Sequence, residues 1–151
     1  MPFNAHAMSE VGTWQTYKGP TPDYGETVYC VTPHSDSSGQ TVVALVNAAG
    51  DRGVSCRYST SSLPALSLWK NTDTVEEGYA TGVEPGTGFP FRRPLEREAG
   101  RVPKLAAGGS VAFSLEWQVL RSAAAVSAIK AEIAGIQKGR VGTIDRGSPM
   151  L

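Results

Sequence analysis

The chain has 151 residues, with 14 Lys and Arg against 14 Asp and Glu, and 40% of its residues are hydrophobic. That is the size of one domain able to bury roughly two-thirds of its unfolded surface; the balanced charge gives no footprint for nucleic acid or an anionic membrane. No apolar run approaches the length of a membrane span and the N-terminus lacks the pattern of a signal peptide, so a cytoplasmic location is the expectation.

In chain order, Met1 to Glu10 has no period, and Val11 to Asp23 reads as an aromatic-bearing loop in which Pro20 and Pro22 stop any helix. Glu26 to Thr32 is β-branched and aromatic enough for a strand. The polar cluster His34–Gly39 then turns the chain into Gln40–Asn47, a second strand, and the two are expected to form a hairpin. After the turn residues Asn47–Asp51, Gly53–Ser59 alternates as a third strand.

The stretch Leu63–Thr72 alternates Leu66, Leu68 and Lys70 against Ala65, Ser67 and Trp69, the period of a strand with one buried face. Across a short acidic turn, Tyr79–Glu84 is expected to pair with it. Phe91–Lys104, with Arg92, Arg93, Arg97 and Arg101 among Glu96 and Glu98, reads as a long loop. It is either a solvated surface or a place where arginine holds an anionic group of a ligand. In Ser110–Leu120 every second residue from Val111 to Val119 is apolar, the clearest strand of the chain. Ser122 caps a helix predicted over Ala123–Gln137, ended by Gly139, and Arg140–Leu151 is a frayed tail. The expectation is therefore an all-β chain with one C-terminal helix, a single domain over residues 1–151 with its core in 11–137 and a tail over 138–151.

Chemistry-bearing residues are few. Cys30 and Cys56 sit in predicted strands without a CxxC spacing and read as small buried hydrophobes rather than metal ligands. His6 and His34 have no serine, cysteine or acidic partner at a recognised spacing, which argues against a hydrolase triad or a zinc site. Gly82, Gly86 and Gly88 are not followed by the Lys-Ser/Thr of a phosphate loop. What remains is carboxylate chemistry. Glu84, held between Val83 and Pro85 among glycines that admit another molecule, is a candidate base, or else a solvated loop carboxylate. Glu26 is the second carboxylate. Trp69, Phe89 and Tyr79 can lie against the apolar face of a sugar ring, although Trp69 suits a core equally well.

In order and spacing, Glu26-Thr27-Val28-Tyr29, Leu68-Trp69-Lys70-Asn71-Thr72, Gly82-Val83-Glu84-Pro85-Gly86-Thr87 and Phe89-Pro90 resemble the C-terminal half of the aldose 1-epimerase-like proteins. The resemblance covers about residues 11–137 and is most specific in the Trp-Lys-Asn-Thr to Glu-Pro-Gly-Thr block. It implies a galactose mutarotase-like β-supersandwich, present in part, and acid/base opening of a sugar ring at its anomeric carbon. It places Glu84 where the family's base stands and Glu26 where the family sets an acidic substrate-binding residue; Trp69 and Lys70 complete the expected sugar-binding set. The family's histidine and early arginine belong to an N-terminal half that this chain lacks, and neither His6 nor His34 matches their motifs. An incomplete domain is therefore expected, with a small-molecule sugar as partner, no metal or cofactor, and self-association through uncovered sheet edges. The alternative is a non-catalytic carbohydrate-binding β-sandwich module.

Overall fold

The computed structural model describes residues 1–146. In chain order its elements are helix α1 (Ala5–Ser9), a 3₁₀ turn (Val11–Thr13), strands β1 (Thr27–Val31), β2 (Gln40–Val46), β3 (Gly53–Ser59), β4 (Ala65–Asn71) and β5 (Ala80–Gly86), helix α2 (Arg93–Glu98), strand β6 (Leu115–Leu120) and helix α3 (Ala123–Gln137). They fall into two compact units. One holds Met1–Thr32, Ala65–Pro103 and residues 143–146; the other holds Pro33–Pro64 and Lys104–Gly142.

The first unit is built on an antiparallel sheet in the order β1-β4-β5. The β-branched and aromatic run of β1 puts Tyr29 opposite Leu68, and β4 puts Lys70 opposite Thr81 on the same face. Against that face pack α1, the 3₁₀ turn and the loop that follows: Ala7, Val11, Tyr29 and Leu68 are buried together, with Trp14, Tyr17, Val31 and Val83 around them. Asn4 caps α1, its side-chain oxygen accepting from the Ala7 amide at 2.8 Å. Five residues are too few to show a period, so nothing in the sequence of Met1–Glu10 marks this helix.

The second unit is an antiparallel sheet in the order β2-β3-β6 with α3 across one face. Val42 and Leu120 meet Val126 and Ile129 there, and each such side chain taken from water contributes about 1.5–3 kcal/mol. Ser122 caps the helix as the sequence predicts, accepting from the Ala125 amide at 3.2 Å. The turn of chain that ends it needs the left-handed region twice, at Lys138 (φ 48°) and Gly139 (φ 71°). Arg57 of β3 ties this sheet to its helix: Nη2 and Nε donate to the Glu132 carboxylate at 2.8–3.1 Å, and Nη1 donates to Glu116 of β6 at 2.8 Å.

Three expectations from sequence are corrected. The β1–β2 hairpin does not form, since β1 pairs with β4 and β2 with β3. The connector from Thr32 to Gly39 is too long for a tight hairpin, whereas Asn47–Arg52 closes β2 on β3 directly, with Gly50 at φ 71°. The basic stretch after Phe91 is not wholly loop: Pro94 sits in the first turn of α2, where its fixed φ suits a helix and its missing amide costs nothing. Finally, only Leu115–Leu120 of the alternating run is strand, and Leu115, Trp117 and Val119 are 41%, 55% and 62% exposed. The period is that of a strand, but the buried face of this edge strand is the other one, where Leu120 meets α3. Both thiols are free and buried, in keeping with their reading as small hydrophobes. Of the expected tail, residues 147–151 lie outside those described.

Candidate functional site

The β1-β4-β5 register sorts the candidate residues by face. Trp69 stands opposite Val28 on one side and Gly82 on the other; Ser67 stands opposite Glu84. Successive residues point to opposite faces of a strand, so Trp69, Ser67, Gly82 and Glu84 share one face. Glu26, immediately before β1, belongs to it as well: its carboxylate accepts a hydrogen bond from Trp69 Nε1 at 2.7 Å. Glu26 and Glu84 are exposed and Trp69 is half-buried.

Gly82 has a local reason. The Glu84 side chain lies back over it, and a Cβ at position 82 would collide with the Glu84 carboxylate. With no side chain between them, the Glu84 carboxylate lies over the residue directly across the ladder from Trp69. The strand ends two residues beyond Glu84, where Gly86–Phe89, Phe91, Glu96 and Arg101 line a cavity of about 440 Å³. Sequence alone gives Glu96 no role of its own, yet it organises this rim. Only 5% exposed, it accepts from the Phe89 amide at 3.0 Å and from Arg101 at 2.9 and 2.6 Å. The Arg101 hydrogen bond holds its carboxyl below the usual range, against the upward push of burial. Arg101 is thereby committed within the loop, while Arg92, Arg93 and Arg97 are exposed.

Lys70 is brought elsewhere. It lies on the opposite face, 3% exposed, with Nζ donating to the Thr16 carbonyl at 3.0 Å and lying 4.7 and 5.2 Å from the ring centres of Tyr17 and Tyr29. Burial lowers its affinity for a proton, and the nearby Glu10 partly offsets this. Glu10 itself, another residue without a sequence signal, gathers Lys18, Tyr24 and His6: Tyr24 Oη donates to it at 2.8 Å and His6 Nε2 lies at 3.5 Å. Burial pushes the Glu10 carboxyl up, but the Lys18 and Tyr24 hydrogen bonds outweigh that push and leave it lowered. Among the described residues no group of three or more His, Cys, Asp and Glu side chains gathers as a metal would require.

This is an all-β protein of the galactose mutarotase-like class with a C-terminal helix, and the face that carries Trp69, Glu84 and Glu26 is on β4 and β5. Residues 1–119 match a family described as a domain of unknown function (DUF4432), and the chain belongs to that family. A crystal structure described as that of a "putative aldose 1-epimerase" from Klebsiella pneumoniae subsp. pneumoniae MGH 78578 is similar at 45% sequence identity with a TM-score of 0.93. The match covers 99% of this chain and 39% of that one, so the chain spans about two-fifths of that protein's length. No curated protein matches. Among the described residues no helix is long and apolar enough to cross a membrane.

Proposed function

We propose that this chain supplies the base-bearing part of an aldose 1-epimerase-like isomerase that interconverts sugar anomers, with both units belonging to one such domain. The observation that carries the reading is the shared face of Glu84, Trp69 and Glu26. Glu84 takes the proton of the anomeric hydroxyl, the ring opens as a donor protonates the ring oxygen, and closure on the other face returns the proton. Trp69 offers an apolar surface to the sugar ring, and Glu26 orients the indole and accepts from sugar hydroxyls. Lys70, on the opposite face, contributes to sugar binding only by holding β4 in place from beneath. A cytoplasmic location is part of the same reading and agrees with two free thiols.

A second reading, a carbohydrate-binding module without catalysis, draws on His6. The ring of His6 lies 4.8 Å from that of Tyr24 and its Nε2 faces Glu10, so it is engaged away from the Glu84 face and gives no proton donor there.

The two readings separate in a chimera in which this chain replaces its counterpart in the Klebsiella protein, assayed by polarimetry and by NMR exchange between anomers. The isomerase reading expects activity, and a loss of roughly 10²–10⁴-fold in Glu84→Gln with sugar affinity nearly unchanged. An active chimera that Glu84→Gln leaves untouched reduces Glu84 to a loop carboxylate. A chimera that binds sugar without turnover establishes the module.

A further inference from the structure

The face that carries Glu84 runs on past it to the cavity of about 440 Å³ at the end of β5. Directly paired residues on neighbouring strands point the same way, so Cys30, Ser67 and Glu84 form one row across that face. Gly86 shares the face by alternation, and a Cβ there would meet the Gly88 carbonyl at 3.1 Å, so the chain leaving β5 folds over this side of the sheet. Glu96 and Arg101, in the cavity wall, are close enough for their charges to act on the Cys30 thiol of the same row. The Glu84 carboxylate itself lies back over Gly82, and Gly86 is four residues further on, about 13–14 Å along the strand. In the isomerase reading, an aldose whose anomeric hydroxyl meets that carboxylate is shorter than this span. The cavity is left for whatever the far end of the sugar carries, and its volume is in the range of small-molecule sites.

Charge is distributed unequally along this face. At the Ala80 end of β5 stands the turn with Asp73, Glu76 and Glu77; beyond Gly86 come Arg92, Arg93, Arg97 and Arg101 against Glu96 and Glu98. Within the cavity wall Arg101 is taken up: Nε and Nη2 donate to the Glu96 carboxylate at 2.9 and 2.6 Å, and the guanidinium lies 5.3 Å from the centre of the Phe89 ring. Arg93 lines the cavity as well and makes no ion pair or side-chain hydrogen bond among the described residues. It acts on Glu96 through its charge alone. Two arginines and one glutamate leave the wall one positive charge in excess, on the residue whose donors are open. An arginine fork of this kind matches the paired oxygens of a carboxylate or a phosphate.

We propose that the aldose taken by this site carries an anionic group, a carboxylate or a phosphate, at the end away from its anomeric carbon, and that Arg93 holds that group in the cavity beyond β5. The proposal rests on the isomerase reading, which puts the sugar at Glu84, and names the substrate class of that site. The acidic turn at the other end of β5 repels the same group, so the charge of the ligand also sets which way round it lies.

The test is a saturation-transfer NMR titration of the full chain, at constant ionic strength, with glucose and galactose, their uronates and their 6-phosphates. The charged sugars are expected to bind about tenfold more tightly than the neutral ones, the scale of a partly solvated hydrogen bond between charged groups. Arg93 is exposed, so Arg93→Met keeps the fold; it is expected to bring the charged sugars down to the neutral level and to leave glucose and galactose unchanged. Whichever of uronate and 6-phosphate gains more from Arg93 names the group. Neutral sugars that bind as tightly as charged ones leave the sugar reading standing and overturn the anionic substrate. A preference that survives in Arg93→Met overturns the role of Arg93. Acetate or inorganic phosphate displacing the charged sugars with an affinity equal to theirs shows an ion site to which the sugar adds nothing, and overturns the proposal. Should the chain alone bind none of these sugars, the same titration on the chimera decides, and silence there removes the sugar reading and this proposal together.

Discussion

The Glu84 carboxylate occupies the space that a side chain at position 82 would need, so Gly82 and Glu84 are sterically coupled along one edge of β5. Gly82 is not in the left-handed region, and alanine there is free of backbone strain. Gly82→Ala is therefore expected to leave the fold intact and to swing the Glu84 carboxylate away from its place opposite Trp69. Misplacing a reacting group by about an ångström costs on the order of 10²-fold in rate. Polarimetry on the chimeric protein, with circular dichroism to confirm folding, checks this; an unimpaired Gly82→Ala enzyme means that the present rotamer of Glu84 is not the reactive one.

The bond from Trp69 Nε1 to Glu26 fixes the indole over the same face. Both groups retain contact with solvent, so the bond adds little to stability, below about 1 kcal/mol. Its worth is in orientation. Glu26→Ala is expected to shift the melting temperature hardly at all while weakening sugar binding about tenfold, a change of about 1.4 kcal/mol. Calorimetric titration with a free hexose measures it, and equal affinities in parent and variant remove Glu26 from the binding set.

Glu96 is expected to make the first unit acid-sensitive. Its folded pKa lies below its unfolded value, so the stability it contributes is fully present above the unfolded pKa, near 4.5, and is lost as pH falls through the lower folded value. Melting temperature followed downward from neutral pH is expected to drop across that window in the parent. Glu96→Gln, with its bonds to Arg101 weakened at every pH, is expected to start lower and to drop less. Parallel curves for the two proteins assign the acid lability to other carboxylates.

Leu115, Trp117 and Val119 form an exposed apolar row on β6, whose outer edge pairs with no other strand among the described residues. An uncovered edge of this kind invites strand addition. Sedimentation is expected to show association that grows with concentration, and Trp117→Lys, which places a charge in the row, is expected to suppress it. A parent that sediments as a monomer at high concentration shows that the row stays solvated.

The strands of this fold are legible in the sequence because their period is written in β-branched and apolar residues. The β4–β5 pairing across the acidic turn is as expected, as is α3 from Ser122 to its glycine-marked end. Facing follows from the alternation: Lys70 comes directly after Trp69 and lies on the other face of β4. Partnering is less legible. Likewise Glu96 reads in sequence as one charge among many, and its burial comes from the Phe89 amide and Arg101 closing on it, contacts that depend on how α2 sits. Glu10 carries no pattern at all, since a polar residue lining a cavity is defined by what folds around it.

The strand order has a consequence for how the chain acquires its structure. Two of the four strand pairings, β2 with β3 and β4 with β5, join neighbours in sequence, whereas β1 must find β4 and β3 must find β6 across long intervening segments. Closing such loops costs entropy before any contact compensates for it, so the two local hairpins form early and the long-range pairings set the pace. During synthesis β1 emerges with its partner still unmade and waits while the β2–β3 hairpin is completed. The outer edge of β3 waits longer still, until β6 appears after the whole of β4, β5 and α2. Slow, sequential closure of this kind makes yield from a fast-expressing cell sensitive to temperature, independently of how stable the finished protein is.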